Sequence, residues 1–205
     1  MEYSFLNISN KKDVNTLSFL KNEEVFSINN KIGLKIKNSG SLNIFNIRGN
    51  LLQSMFIKNI KDILSLELST NVGHFKKNKI SILLKIGPDE LLLINNKDNF
   101  NLMKTLKEKM NKIHFGLTEL SDHYQVLYLS GEKTRWVLSK GCPINLDKNI
   151  FLPGHCAQTL LGNSNIILFC TKKNEFTLIC VSSYANYILS WLKESSLEHG
   201  YKYNN

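Results

Sequence analysis

The sequence predicts an α+β fold built from two pseudo-repeated halves, each reading β-α-(β)-β-β-α, with helices on one face of a mainly antiparallel sheet. Three observations carry this. Apolar residues alternate with polar ones in several short runs, the period of a half-buried strand. Between those runs lie segments with apolar residues at helical spacing. Finally, the order of elements occurs twice at a nearly constant offset: Gly49 and Gly131 are 82 residues apart, Glu90 and Glu175 are 85 apart, and so are Leu106 and Trp191. An internal period of this kind marks a duplicated supersecondary unit. The expected organisation is an N-terminal arm over residues 1–30, a first half over 31–117 and a second over 118–205, the halves packing as one globular unit.

The elements follow in order. Residues 1–30 are polar and Asn-rich, with Phe5, Leu17, Phe19 and Val25 dispersed among them, and are expected to become ordered by docking on something else. Ile32, Leu34 and Ile36 alternate with polar residues and predict a strand; after Asn38, Ser39 and Gly40 a second strand runs from Leu42 to Ile47. The first half continues as Gly49, a helix (NLLQSMFIKNI), an irregular link, a strand (KISILLKI), a turn at Gly87-Pro88-Asp89, a strand (ELLLI) and a helix (NFNLMKTLKEKM). The second repeats it: strand (YQVLYL), Gly131, helix (EKTRWVLSK), link, strand (NIILFC), turn at Lys172-Lys173-Asn174, strand (EFTLICV) and helix (YANYILSWLKESS). Ser130 is the expected N-cap of the helix from Glu132, and Gly141 followed by Pro143 its stop. Leu51, Leu52, Met55 and Phe56 mark the buried face of the first helix, and Tyr184, Tyr187, Ile188, Trp191 and Leu192 that of the last.

Composition narrows the functional classes. At 205 residues the chain is long enough for a sizeable core, and 42% hydrophobic residues place it among ordered globular proteins. The formal charge of +9 invites a nucleic-acid reading. That charge, however, is made of 24 Lys and only Arg48 and Arg135, so the bidentate fork that reads guanine and clamps phosphate is nearly missing. The lysines occur in scattered pairs and read as solvated surface; no nucleic acid is expected as a partner. No apolar run approaches the roughly 20 residues of a bilayer span, so no membrane is expected either. MEYSFLNISNKK lacks the basic and apolar regions of a secretion signal, and the expectation is a cytoplasmic protein.

The chemistry-bearing residues are sparse. No GxGxxG, P-loop, HExxH, GxSxG or EF-hand pattern occurs, so no catalytic, cofactor-binding or metal-binding residues are assigned. Cys142, Cys156, Cys170 and Cys180 form no CxxC pair and read as reduced, buried thiols. Asp122-His123 and His155-Cys156 are adjacent on extended chain, where neighbours point to opposite faces, which argues against a working pair in either case. Gly141, Cys142, Pro143, Pro153, Gly154, His155, Cys156, Gln158 and Thr159 crowd the link of the second half, whereas the corresponding link, Lys61 to Lys79, is Ser/Asn/Lys-rich without Pro or Cys. Those nine residues are the candidates for a surface that contacts another chain.

Residues 119–200 resemble the gamma subunit of heterotetrameric sarcosine oxidase. The resemblance rests on Lys140-Gly141-Cys142-Pro143, Leu146-Asp147, Pro153-Gly154, the run from Cys156 to Gly162 (CAQTLLG) and Trp191-Leu192. In the first half, Asn46-Ile47-Arg48-Gly49 and Gly87-Pro88-Asp89-Glu90-Leu91 look like the family's NxRG and GPDEW motifs, Leu91 departing from the usual aromatic. The resemblance implies a fold similar to the folate-binding domain of the glycine cleavage T protein. It also implies a non-catalytic subunit of a complex that demethylates sarcosine to glycine, passes the one-carbon unit to tetrahydrofolate and yields hydrogen peroxide. Alpha, beta and delta subunits would be the partners and would hold FAD, FMN, NAD, zinc and tetrahydrofolate, leaving no cofactor in this chain. Two alternatives stay open: a gamma-like subunit of N-methylglutamate dehydrogenase, and an independent folate-binding protein whose pterin carboxylate would come from Asp89, Glu90 or Asp122.

Overall fold

The computed structural model describes Leu17, residues 23–96 and residues 99–205. The two halves are each β-α-β-β-β-α. The first consists of β3 (Asn43–Gly49), α1 (Ser54–Leu64), β4 (His74–Lys77), β5 (Ser81–Lys85), β6 (Glu90–Asn95) and α2 (Asn99–Lys109). The second consists of β8 (Tyr124–Ser130), α3 (Thr134–Ser139), β9 (Cys156–Leu161), β10 (Ser164–Lys172), β11 (Glu175–Val181) and α4 (Ala185–Ser195). Four further strands frame them: β1 (Glu23–Phe26), β2 (Leu34–Asn38), β7 (Phe115–Glu119) and β12 (Tyr201–Asn204).

Among the described residues the strands form two sheets, β4-β5-β6-β3-β7 and β1-β12-β2-β8-β11-β10-β9. The corresponding strands have the same order in both, β4-β5-β6-β3 matching β9-β10-β11-β8. The fifth position holds an exchange between the halves. β7, just upstream of β8, pairs antiparallel with β3 of the other half, while β2, just upstream of β3, pairs antiparallel with β8. The strand expected at residues 32–36 as part of the first half thus lies in the sheet of the second. A reciprocal exchange of this kind leaves each sheet incomplete without the other half's chain.

The matching strands β4-β5-β6-β3 and β9-β10-β11-β8 are covered on both faces, which explains the nearly continuous apolar runs in β6, β10 and β11. Phe45, Ile47, Leu91 and Leu93 pack under α1 and α2 against Phe56, Ile60 and Leu106. Leu127, Leu129, Leu168 and Leu178 pack under α3 and α4 against Val137, Ile188 and Leu192. The alternate residues form a third core between the sheets, where Ile44, Leu84 and Leu92 meet Val126, Ile167 and Ile179. Phe75 and Phe169 cross it edge to face with centroids 5.1 Å apart. The layers are therefore helix, sheet, sheet, helix, and each Leu, Ile or Phe fully buried there contributes about 1.5–3 kcal/mol.

Local expectations needed adjustment at helix ends. α1 begins at Ser54, not Asn50, so Leu51 is buried in the preceding turn while Leu52 is 91% exposed. α3 spans only six residues, and Ser130 ends β8 instead of capping it; Thr134 donates its hydroxyl proton to the Gly131 carbonyl oxygen. The cause is Gly131, whose φ of +128° turns the chain sharply and whose hydrogen leaves room for the Gly33 carbonyl, 2.3 Å from where a Cβ would stand. In α4, Ile188 and Leu192 are buried as expected, whereas Tyr184 and Tyr187 sit at the rim. Of the 1–30 arm, Leu17 is buried in the core beneath α3 and α4, and β1 pairs with β12; residues 1–16 and 18–22 lie outside the described residues.

Candidate functional site

The link from Lys140 to His155 follows α3 with little regular structure of its own, and one side chain ties it down. Arg135 donates from Nε to the Lys173 carbonyl oxygen (2.7 Å), from Nη1 to that of Leu146 (2.7 Å) and from Nη2 to that of Phe151 (3.0 Å). Its guanidinium also lies over the Phe176 ring, 4.8 Å from the centroid. Three carbonyls from two loops are thus collected by one planar fork, a task the point charge of Lys cannot perform. Sequence reasoning missed Arg135 because its acceptors are backbone oxygens, which carry no residue identity; its rarity as one of two arginines was the available signal.

The nine candidate residues divide by environment. Gly141 sits against α4, where an added Cβ would stand 2.4 Å from Cζ2 of Trp191, and its carbonyl oxygen accepts from the Gly162 amide (3.1 Å). Cys142 belongs to the core beneath α3 and α4, and Cys156 to the core between the sheets. Burial pushes both thiols up to about 12, so neither is a nucleophile near neutral pH. Pro143, Pro153 and Gln158 are exposed, and the Gln158 amide donates to the Ile86 carbonyl oxygen (3.1 Å), joining the two halves. Thr159 is partly buried, and its Oγ1 has no hydrogen-bond partner among the described residues.

Gly154 and His155 occupy a special place, the junction of the halves. The Phe75 amide donates to the Gly154 carbonyl oxygen (2.9 Å) and the Cys156 amide to that of Gly73 (2.7 Å), a reciprocal pair around the His74–His155 bridge. Gly73 and Gly154 both have positive φ, +81° and +98°. His74 and His155, 81 apart, are equivalent in the repeat, and their rings meet edge to face with centroids 4.6 Å apart. Loss of water, and then the neighbouring His74, lower the His155 pKa. Edge strands β4 and β9 are therefore joined here.

The motifs of the first half also converge. Arg48 lies opposite Glu90 in the β3–β6 register and binds its Oε2 through Nη2 at 2.7 Å, while Asn46 donates to Oε1 at 2.6 Å. The Gly49 amide donates to the Asp89 carbonyl oxygen (3.0 Å). This cluster holds the β5–β6 turn against β3 and engages both oxygens of the Glu90 carboxylate. No group of three or more potential metal-ligating side chains occurs among the described residues, nor does any helix there suffice to cross a membrane.

Comparison with solved structures defines the class of protein. A chain of the heterotetrameric sarcosine oxidase from Corynebacterium sp. U-96, solved with pyrrole 2-carboxylate, superposes with a TM-score of 0.76 at 21% identity, covering 82% of this chain and 88% of that one. Aminomethyltransferase T of the glycine cleavage system from Bartonella henselae gives 0.60 at 12% identity, covering 85% of this chain and 48% of that one. The protein thus has the two-half α+β fold shared by these chains. More particularly, the sarcosine oxidase gamma subunit family matches residues 48–198, and the chain belongs to that family. The sarcosine oxidase gamma subunits of Corynebacterium sp. strains U-96 and P-1 are 29% and 28% identical over 115 residues, an alignment spanning 56% of this chain and 56% of each relative.

Proposed function

We propose that this chain is the gamma-type subunit of a heterotetrameric sarcosine oxidase complex and acts by assembly, not by chemistry of its own. The complex would oxidatively demethylate sarcosine to glycine, transfer the one-carbon unit to tetrahydrofolate and produce hydrogen peroxide. FAD, FMN, NAD, zinc and tetrahydrofolate would reside in the alpha, beta and delta partners. The observation that carries this reading is the family match across both halves, residues 48–198. The tethered link is consistent with it: Arg135 fixes a rigid, irregular surface on which Pro143 and Pro153 stand exposed. A preformed surface of this kind loses little entropy on association.

The test is omission. The four chains are co-expressed with a tag on the alpha partner, with and without this one. The proposal predicts that this chain co-purifies and that its omission lowers the yield of assembled, active complex. An unaltered yield and specific activity without it would refute the supporting role.

A further inference from the structure

The seven-stranded sheet is wider than the five-stranded sheet that packs on its inner face. Among the described residues the core between the sheets draws on β8, β9, β10 and β11 but on no residue of β1, β2 or β12, and on that part of the inner face Lys35, Lys37 and Tyr128 are exposed. The register shows what stands there. Val126 points into the core between the sheets, Tyr128 follows on the same face, and Lys37 is the cross-strand partner of Tyr128 on β2. Lys35 and Lys202 are direct partners in the parallel β2–β12 pair. Together with Thr171 and Glu175 these side chains line a shallow open groove of about 540 Å³.

The charges on this face are unbalanced. Lys202 pairs with Glu23, and Glu175 with Lys172. Lys35 and Lys37 are exposed, and neither has a carboxylate within ion-pair distance among the described residues. Like charges set directly opposite each other on a sheet are destabilising, and Lys is depleted in strands generally. Lysines on an edge strand have an ordinary explanation, protection against stray pairing, and Lys76 and Lys77 on edge strand β4 fit it. β2 is an interior strand, bonded to β12 on one side and β8 on the other, so that explanation does not reach Lys35 and Lys37.

We infer that this basic groove docks an acidic surface of a partner subunit, with Lys35 and Lys37 supplying the unpaired charge, Lys202 beside them and Tyr128 the flat wall. The inference rests on the subunit reading above and adds which face is used and what chemistry it meets. Carboxylates placed over the groove would relieve the repulsion between the lysines and gain several charge contacts on a surface that is already flat and ordered. Binding that depends on such contacts weakens with salt, because the screening length falls from about 10 Å at 0.1 M to about 3 Å at 1 M.

The test uses the full chain and its co-expressed partners, with the partners held on resin. Wild type is compared with Lys35→Glu/Lys37→Glu and with Lys76→Glu/Lys77→Glu, which makes the same charge change on β4. Thermal unfolding of each variant first establishes that the fold is kept, as exposure of all four side chains predicts. The inference expects the β2 double variant to bind its partners at least about tenfold more weakly at low salt, with a flatter salt dependence, and the β4 variant to stay within about twofold of wild type. Equal binding by all three proteins, or equal loss in both variants, overturns the inference and leaves the subunit reading standing. If wild type itself fails to bind the partners, the subunit reading falls and this inference with it. Binding of a single-stranded RNA oligonucleotide near physiological salt that the β2 reversal abolishes would assign the groove to nucleic acid and overturn the proposal as well.

Discussion

Replacing Arg135 with Ala removes the side chain that ties the middle of the second-half link to α3 and to the turn between β10 and β11. The side chain makes three hydrogen bonds to carbonyl oxygens, at Leu146, Phe151 and Lys173, and covers the Phe176 ring. A hydrogen bond to a charged donor is worth about 1.5–3 kcal/mol when buried, and this guanidinium is only partly so, with water free to replace some of what is lost. The net cost should be about 2–4 kcal/mol, which for a chain of this size lowers Tm by about 4–16 °C. Arg135→Lys keeps the charge but reaches fewer carbonyls at a time, and should fall between the two. Thermal unfolding reads the global effect, and amide exchange over residues 145–153 reads the local one, where protection should drop first. An alanine variant that melts within about 1 °C of wild type, with unchanged exchange in the link, would refute the assignment of Arg135 as its tether.

Three further outcomes follow from the same geometry. Because the His155 pKa is lowered in the fold, the unfolded chain binds the proton first as pH drops, so stability should fall as pH passes below about 6.5 and level off beneath the folded pKa; His155→Gln should flatten that part of the Tm profile, and an unchanged slope would contradict the junction's role. Gly141→Ala forces a methyl against Trp191 and should destabilise by about 1–3 kcal/mol; denaturant unfolding should show Trp191→Leu recovering part of the loss in the double variant. The thiols of Cys142, Cys156 and Cys180, buried and pushed up to about 12, should be inert to an aromatic disulfide reagent near pH 8 until the chain is denatured, and rapid native labelling of any of the three would show that the cores are open.

What the sequence revealed and what it hid have a common physical cause. The duplication was visible because strand and helix periods are local, so Gly49 and Gly131, or Leu106 and Trp191, could be aligned without knowing what they touch. Strand pairing is not local, and nothing in Leu34–Asn38 announces that it completes the sheet of β8 instead of pairing with the next strand. Tyr201–Asn204 escaped notice altogether, a four-residue strand whose partners, β1 and β2, lie more than 160 residues upstream. The dense link stands out in the sequence by its Gly, Pro and Cys, and the structure gives several of them other work: Gly141 approaches Trp191, Cys142 and Cys156 are core residues, and Gly154 and His155 form the junction. Scattered lysines read as plain solvated surface because Lys35 and Lys202 come together only through the parallel pairing of β2 with β12.

The central claim, that this chain works as a subunit, is tested most directly by the native mass of the species that holds it. With the alpha, beta and delta chains co-expressed, native mass spectrometry of the tagged protein should show it in one assembly with all three. If it is found instead as a lone 23.5 kDa chain while the other three assemble without it, the claim is contradicted.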